Sequence, residues 1–275
     1  MRNNKIIKCL AFALVTLIGF TGCAKNDSTT TTKEDNKIVI GVNPTPQEQI
    51  IENLLPKFKE AGLDVEIKVF DDYVQPNIAL NSGDLDANYF QHEPYLDSFN
   101  ADHGFTNVSI GGVHLEPLGL YSTKYTNINE IKDGDEILIP NDPSNGARAL
   151  ILLEKNGLLK LKDSTDLKST EKDIVENPKN LKITPIDAAI ITKSYGDVAA
   201  AVINSNFAIN ANIDPKTALV RESGENNPYA NIVVVRKKDK DNPKFEKLMK
   251  IIQSEETKKF IENEFKGAIV PAFTK

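Results

Sequence analysis

The stretch "KIVIGVNPTPQEQIIENLLPKFKEAGLDVEIKVF", residues 37–70, holds two apolar runs separated by an amphipathic segment. The first run, residues 37–42, and the alternating second run, residues 64–70, predict β-strands. The segment between them predicts a helix that ends at Gly62. Its apolar face consists of Ile50, Ile51, Leu54, Leu55 and Phe58.

The start of this first helix carries a capping pattern. We expect Thr45 to be the N-cap, Pro46 to be the first helical residue and Glu48 to complete a capping box. A second helix is expected near residues 75–81, and "LDANYF" at 85–90 predicts another strand. Strands and helices that alternate at this spacing favour a parallel sheet covered by helices.

The same alternation restarts in the second half of the chain. "DEILIP" at 135–140 predicts a strand, and the following helix is expected to be capped by Ser144 or Asn145 and ended by Gly157. "DVAAAVIN" at 197–204 predicts a further strand. The chain therefore resembles two similar α/β halves joined together.

Two apolar segments are placed to connect these halves, "HLEPLGLYS" at 114–122 and "YANIVVVRK" at 229–237. Helices expected at 245–253 and 255–265 then return to the first half. We expect an α/β protein of two lobes with a cleft at the carboxyl ends of its strands. The expected lobes are residues 37–117 with 232–275, and residues 118–231.

The N-terminus carries an export signal. Basic "MRNNKIIK" precedes apolar "CLAFALVTLIGFTG", which predicts a signal peptide over residues 1–22 that is too short to span a membrane comfortably. "FTGC" resembles a lipobox, in which Cys23 is lipidated, although Phe20 stands where the box normally has Leu. The alternative is an ordinary secretory signal with Cys23 near the cut by chance.

Cleavage at this site would leave Cys23 as the single cysteine of the mature chain, so no disulfide forms within it. Polar residues follow, and residues 23–36 are expected to form a lipidated, flexible tether. We therefore expect a protein anchored by lipid on the extracytoplasmic face of the cell membrane.

The composition restricts the classes of partner. The chain of 275 residues is 40% hydrophobic and 26% charged, with a net charge of −6, which is typical of a globular protein. No segment concentrates Lys and Arg together with aromatic residues, so no nucleic-acid partner is expected.

The histidines do not form a metal motif. His92, His103 and His114 are evenly spaced, but Pro94 and Gly104 interrupt the run between them, and neither HExxH nor a cysteine cluster occurs. The chain also lacks a P-loop, a dinucleotide fingerprint and GxSxG. We therefore expect no metal, no cofactor and no enzymatic activity.

A small anion has better support as a ligand. In "ILIPNDPSNGARALILLEKNG", Arg148 lies in the first turn of the predicted helix, where free backbone N–H groups favour negative charge. A guanidinium there can bind a carboxylate through two parallel hydrogen bonds. The alternative is a surface arginine that pairs with a nearby acid.

An amino-acid ligand also needs acceptors for its ammonium group. Asn204 ends a predicted strand and Asn231 lies in a predicted crossing segment, so both can present amide oxygens to a cleft. The alternative is that they satisfy turn backbone. Tyr73, Phe90 and His92 would line the side-chain pocket, although Phe90 can equally serve core packing.

Several long motifs resemble the methionine-binding lipoprotein family of ABC importers, the MetQ/NlpA type. The resemblance covers the chain from Lys37 to its C-terminus and implies a periplasmic-binding-protein fold (type II) that closes on an L-methionine-like ligand. The motifs are "FDDYVQPNIAL", "GDLDANYFQHEPYL", "IPNDPSNGARALILLEKNGLLKLKD", "ENPKNLKI", "AVINSNFA" and "NPYANIVVV".

The resemblance also implies roles for particular residues. Arg148 would hold the carboxylate, Asn204 and Asn231 the amino group, and Asn145 would brace the arginine loop. Many relatives have Leu-Gly where this chain has Gly146–Ala147, which alters the backbone beside the carboxylate site. The side-chain pocket would be formed by Tyr73, Phe90 and His92.

The implied activity is that of a monomeric, lipid-anchored receptor. It would capture L-methionine and deliver it to a permease driven by ATPase subunits, without transforming it. Alternatives are a receptor for another small amino acid or for a methionine-containing dipeptide. More distant alternatives are an extracytoplasmic enzyme, such as an amidase or deaminase, and a surface adhesin.

Overall fold

The computed structural model describes residues 36–224 and 227–273. The predicted signal peptide at 1–22, the predicted lipidation site Cys23 and nearly all of the predicted tether therefore lie outside the described residues. Within the described ranges, no helix is both long enough and apolar enough to span a bilayer.

The described chain alternates strands and helices throughout. The strands are β1 (Lys37–Val42), β2 (Asp64–Val69), β3 (Ala87–His92), β4 (Asn107–Leu115), β5 (Gly119–Tyr121), β6 (Glu136–Pro140), β7 (Lys160–Leu161), β8 (Ile174–Glu176), β9 (Lys182–Ile186), β10 (Ala200–Ile203), β11 (Val220–Arg221), β12 (Ala230–Arg236) and β13 (Val270–Pro271). The α-helices are α1 (Gln49–Glu60), α2 (Gln75–Ser82), α3 (Glu93–His103), α4 (Pro143–Lys155), α5 (Ala188–Ser194), α6 (Ser205–Asn210), α7 (Pro243–Ile252) and α8 (Glu255–Phe265).

These strands form two main sheets and one small hairpin. The first sheet has the order β13-β4-β12-β3-β1-β2, and β1 runs parallel to both β2 and β3. The second has the order β11-β5-β10-β6-β9, with β10, β6 and β9 parallel. β12 is antiparallel to β3 and β4, and β5 is antiparallel to β10 and β11, so both sheets are mixed rather than wholly parallel.

The chain crosses from the first sheet to the second between Leu115 and Gly119, and it returns between Arg221 and Ala230. The return crossing therefore precedes the predicted segment at 229–237, because all of β12 is paired inside the first sheet. The predicted residue limits of the lobes stay a prediction.

Each main sheet has its own apolar core. Ile38, Ile40 and Tyr89 of the first sheet pack with the buried face of α1, whereas Ile137 and Val202 of the second pack with α4. Leu55 was expected on the buried face of α1, but its side chain is 37% exposed because it lies at the margin of that face.

The predicted cap of α1 is wrong. Thr45 has an extended backbone, with φ −137° and ψ 133°, and the helix begins only at Gln49 after a tight turn over Pro44–Glu48. The physical reason is Pro46, since the ring of a proline disfavours helical backbone at the residue before it.

The predicted cap of α4 is also wrong, by two or three residues. The N-cap is Asp142, whose carboxylate accepts a hydrogen bond from the backbone N–H of Asn145 at 2.9 Å. Pro143 takes the first helical position, where its missing N–H costs no hydrogen bond. Ser144 and Asn145 consequently lie inside the first turn rather than before it.

Candidate functional site

One cavity collects the predicted binding residues. All seven of them, Tyr73, Phe90, His92, Asn145, Arg148, Asn204 and Asn231, contribute to its wall. The sequence did not single out the other lining residues, which are Gln91, Tyr95, Glu116, Ser205 and Asn206.

The fold explains this convergence. Phe90 and His92 lie at the carboxyl end of β3, and Asn204 follows the carboxyl end of β10 directly. Arg148 lies in α4, which begins soon after β6 ends. Carboxyl ends of parallel strands are the usual ligand-binding edge of such sheets, and Asn231 reaches the same place from the start of β12.

Arg148 is only 3% exposed and is already paired inside the protein. Its Nε and Nη2 atoms donate to the two carboxylate oxygens of Glu222, at 2.8 Å and 2.5 Å. Nη2 also donates to the backbone oxygen of Glu116 at 2.8 Å, and the guanidinium lies 4.3 Å from the ring centroid of Tyr229. The bidentate edge expected to face a ligand thus faces Glu222, and Nη1 is the guanidinium nitrogen that has no hydrogen bond within the described residues.

The Arg148–Glu222 pair stays ionised although it is buried. Burial disfavours both charges, but the attraction between the two groups prevails. It raises the pKa of Arg148 and lowers the pKa of Glu222 from their ordinary values. The charge of Arg148 is therefore balanced within the protein by Glu222, which does not itself line the cavity.

Glu116 places a carboxylate in the wall of the cavity. It is 7% exposed, and its Oε1 accepts hydrogen bonds from Gln47 Nε2 and His114 Nε2, both at 2.8 Å. The hydroxyl of Tyr89 bonds the other ring nitrogen of His114. Oε2 has no hydrogen bond within the described ranges, so it remains available to a cationic ligand group.

Asn145 acts as an internal brace. Its Oδ1 accepts from Asn204 Nδ2 at 3.0 Å and from His92 Nε2 at 3.1 Å, while its Nδ2 donates to both oxygens of Asp142 at 3.1 Å. Its amide is thus engaged with three neighbours. The Oδ1 atom of Asn204 has no partner in the described part of the chain and lines the cavity as a free acceptor.

Asn231 offers a weaker acceptor. Its Oδ1 already accepts from Gln47 Nε2 at 3.1 Å, which leaves one lone pair of that oxygen.

His92 is a neutral wall residue. Burial, together with the nearby positive charge of Arg148, lowers the pKa of His92 to about 3. Its Nδ1 accepts from the backbone N–H of Tyr95 at 3.2 Å, so both ring nitrogens are used inside the protein. Across residues 36–224 and 227–273, no three His, Cys, Asp or Glu side chains are grouped to hold a metal ion.

The opposite end of the cavity is aromatic. The ring of Tyr73 lies 6.0 Å from Phe90, 5.8 Å from Tyr95 and 4.9 Å from Phe207, measured between ring centroids. Phe90 packs in a buried cluster and also lines the cavity.

For the lining residues that were not predicted, the sequence carries a usable signal in one case and none in others. Glu116 is the one acid of the stretch 113–120, in which His114 is the other polar residue, and this is a detectable anomaly. Tyr95 and Asn206 lie in helices, where nothing in the local pattern separates a cavity wall from ordinary packing.

Known proteins share this sequence and fold. D-methionine-binding lipoprotein MetQ of Escherichia coli (strain K12) is 38% identical, over 94% of this chain and 94% of that protein. Outer membrane lipoprotein 2 of Mannheimia haemolytica is 43% identical, over 96% of this chain and 98% of that protein.

A solved structure is similar to this chain in both sequence and fold. The nutrient binding protein from Burkholderia cenocepacia bound to methionine superimposes with a TM-score of 0.83 at 45% identity, covering 86% of this chain and 100% of the other. The family model described as NlpA lipoprotein matches residues 38–273. The chain therefore belongs to the NlpA lipoprotein family.

Proposed function

We propose that this protein is the extracytoplasmic substrate-binding lipoprotein of an ABC importer. It binds L-methionine or a close analogue in the cavity and delivers it to the permease and its ATPase subunits. The observation that carries the proposal is the convergence of Arg148, Glu116 and Asn204 on one cavity with an aromatic end. MetQ relatives and the methionine-bound neighbour support the choice of ligand.

The two ends of the cavity suit the two ends of methionine. Nη1 of Arg148 meets the carboxylate, while Oε2 of Glu116 and Oδ1 of Asn204 accept from the ammonium, with Asn231 as a further acceptor. The aromatic rings enclose the thioether chain, since sulfur packs favourably against aromatic edges. His92 contributes a neutral face between the two ends.

Burial of the binding contacts is what allows them to supply enough free energy for binding. Binding at about micromolar affinity requires roughly 8 kcal/mol. An exposed ion pair contributes about 0–1 kcal/mol, whereas hydrogen bonds to buried charges are worth about 1.5–3 kcal/mol each. Arg148 and Glu116 are 3% and 7% exposed, so the contacts they offer are of the stronger kind.

Nothing in this arrangement requires catalysis. Both ring nitrogens of His92 are engaged by Asn145 and Tyr95, and Arg148 is held by Glu222. We therefore propose a receptor that releases its ligand unchanged. In our proposal the protein is a monomer, held on the extracytoplasmic face of the membrane by lipid on Cys23.

The test begins with ligand-stripped protein and isothermal titration calorimetry. L-methionine is expected to bind the parent protein, and Arg148→Ala is expected to lose detectable binding while retaining a native circular dichroism spectrum. Lys155→Ala is the matched control, because Lys155 lies at the exposed end of the same helix and outside the cavity wall. Full affinity in Arg148→Ala would remove that residue from the site.

Competing ligands are separated in the same experiment. Titration of Gly-Met and of other small amino acids distinguishes a methionine receptor from a dipeptide or general amino-acid receptor. Mass spectrometry of the small molecule released from freshly purified, denatured protein identifies the natural occupant. An adhesin that has lost its ligand would show no rise in melting temperature with any of these compounds.

A further inference from the structure

We propose that Asn206 recognises a hydrogen-bond acceptor at the far end of the ligand's side chain. This inference rests on the proposed function and narrows its substrate class. The class is α-amino acids whose unbranched side chain ends in a thioether or, more strongly, in a sulfoxide, as opposed to a plain hydrocarbon chain.

The first observation is an unsatisfied donor. Asn206 is 2% exposed and lines the cavity. Its Oδ1 accepts from the hydroxyl of Tyr73 at 2.6 Å, but its Nδ2 has no hydrogen-bond partner within residues 36–224 and 227–273. Because the Tyr73 hydroxyl donates its proton to the amide oxygen, the amide nitrogen is directed away from Tyr73.

The second observation is where this donor lies. Asn206 bonds Tyr73, whose ring packs on Phe90 and Tyr95 at the aromatic end of the cavity. Arg148 instead packs on Tyr229 and pairs with Glu222. The free donor therefore belongs to the end that holds the ligand's side chain in the proposed orientation.

The neighbouring polar groups at this end are satisfied within the described residues. The Tyr95 hydroxyl donates to the backbone oxygen of Tyr73 at 2.9 Å. Gln91 Nε2 donates to Asn77 Oδ1 at 2.7 Å and to Asn88 Oδ1 at 2.9 Å. The amide nitrogen of Asn206 is thus the donor at this end that has no acceptor of its own.

A buried donor without a partner is costly, and a ligand that supplies an acceptor removes that cost. A thioether sulfur is a weak acceptor, and a hydrocarbon chain offers none. A sulfoxide oxygen carries a substantial partial negative charge and accepts strongly. Affinity should therefore rise from norleucine to methionine to methionine sulfoxide.

The experiment measures all three ligands by calorimetry on the parent protein and on Asn206→Leu. In the parent, norleucine is expected to bind about 3–10-fold more weakly than methionine, and methionine sulfoxide at least as tightly as methionine. In Asn206→Leu, the ratio between methionine and norleucine should approach about one, and sulfoxide binding should fall about tenfold or more.

Asn206→Asp provides the second variant. It keeps an acceptor for the Tyr73 hydroxyl but replaces the donor with another acceptor. It should therefore weaken sulfoxide binding more than norleucine binding, and this supports the proposal even if Asn206→Leu fails to fold.

Two results would overturn the inference. Equal weakening of all three ligands by either variant would show that Asn206 contacts the part they share or acts only on structure. If the parent protein bound norleucine much more tightly than methionine, recognition of an acceptor at the end of the ligand's side chain would be excluded. Failure of the parent to bind methionine at all would instead refute the proposed function, and this inference with it.

Discussion

Glu116 is the residue that most changes the chemistry expected of the cavity. Amide oxygens were expected to hold an ammonium group without adding charge, yet a carboxylate lies in the same wall and is held by Gln47 and His114. A buried carboxylate has a far stronger preference for a cation than an amide has. In the proposed binding mode, recognition of the amino group therefore rests chiefly on a formal charge.

Replacing this charge should have a selective effect. Glu116→Gln is expected to weaken methionine binding about 10–100-fold, because one hydrogen bond to a charged group is worth about 1.5–3 kcal/mol. The desamino analogue 4-(methylthio)butanoate should be nearly unaffected by the substitution. Both ligands are measured by calorimetry, and Glu176→Gln, an exposed residue outside the cavity, is the control. Equal losses for both ligands would contradict this role.

His92 makes a separate prediction about stability and pH. Its pKa is about 3 in the folded protein, against 6.5 as the ordinary value. Between those values the unfolded chain binds a proton that the folded chain does not bind. The contribution of His92 to stability is therefore complete above pH 6.5 and is lost as the pH falls toward 3.

Chemical denaturation at several pH values between 4 and 6.5 checks this. His92→Gln, which retains an amide donor and acceptor, should flatten the pH dependence of the unfolding free energy by up to about 1.4 kcal/mol per pH unit. His103→Gln is the control, since that imidazole lies at the exposed end of α3. An unchanged slope in His92→Gln would mean that His92 becomes protonated in the folded protein.

At the scale of elements, the starts of the helices were harder to predict from the sequence than their bodies. The strands β1 and β3 and the body of α1 follow from apolar periodicity, because burial alone imposes that pattern. The N-caps cannot be predicted in the same way, because several Ser, Thr, Asn and Asp residues near each helix start are suitable caps. The position of the neighbouring proline determines which residue becomes the cap. Asp142 is the N-cap of α4, where Ser144 or Asn145 was expected. The side chain of Asn145 is therefore not the cap, and it bonds His92 and Asn204 instead.

The cap of α4 is therefore part of the site. Asp142→Ala should cost about 1–2 kcal/mol of stability, as loss of an N-cap does. It should also weaken methionine binding by about tenfold, or roughly 1.4 kcal/mol, because Asn145 loses the carboxylate that orients it.

Ser254→Ala is the matched control for this prediction. Ser254 caps α8 by accepting from the backbone N–H of Thr257 at 3.3 Å, and it is not part of the cavity wall. Its loss should lower stability by a similar amount and leave affinity unchanged. Thermal unfolding and calorimetry measure the two quantities separately, and unchanged affinity in Asp142→Ala would confine that residue to a capping role.

At the scale of the whole molecule, the fold class and seven of the twelve residues that line the cavity were predicted from the sequence, largely through long motifs in a fixed order. The partners of Arg148 did not. Glu222 lies 74 residues away in sequence, and no local pattern indicates that a short polar stretch after β11 supplies a buried carboxylate. Long-range charge pairs of this kind depend on how the two sheets are connected.

The proposed attachment to the membrane also concerns the whole molecule. Cys23→Ser is expected to move the protein from the membrane fraction to the soluble extracytoplasmic fraction, because it removes the proposed lipid acceptor. Cys9→Ser is the matched control, since Cys9 lies within the predicted signal peptide. Fractionation and immunoblotting check the outcome, and membrane retention of Cys23→Ser would contradict a lipid anchor at that residue.

The position of β12 has a consequence for how the chain matures. This strand comes late in the sequence yet lies between β3 and β4 in the middle of the first sheet. A growing polypeptide that ends before residue 230 leaves both neighbouring strands with open edges, and Asn231 is absent from the cavity. Completion of the first sheet, and with it of the cavity, must therefore wait until nearly the entire polypeptide is available to fold.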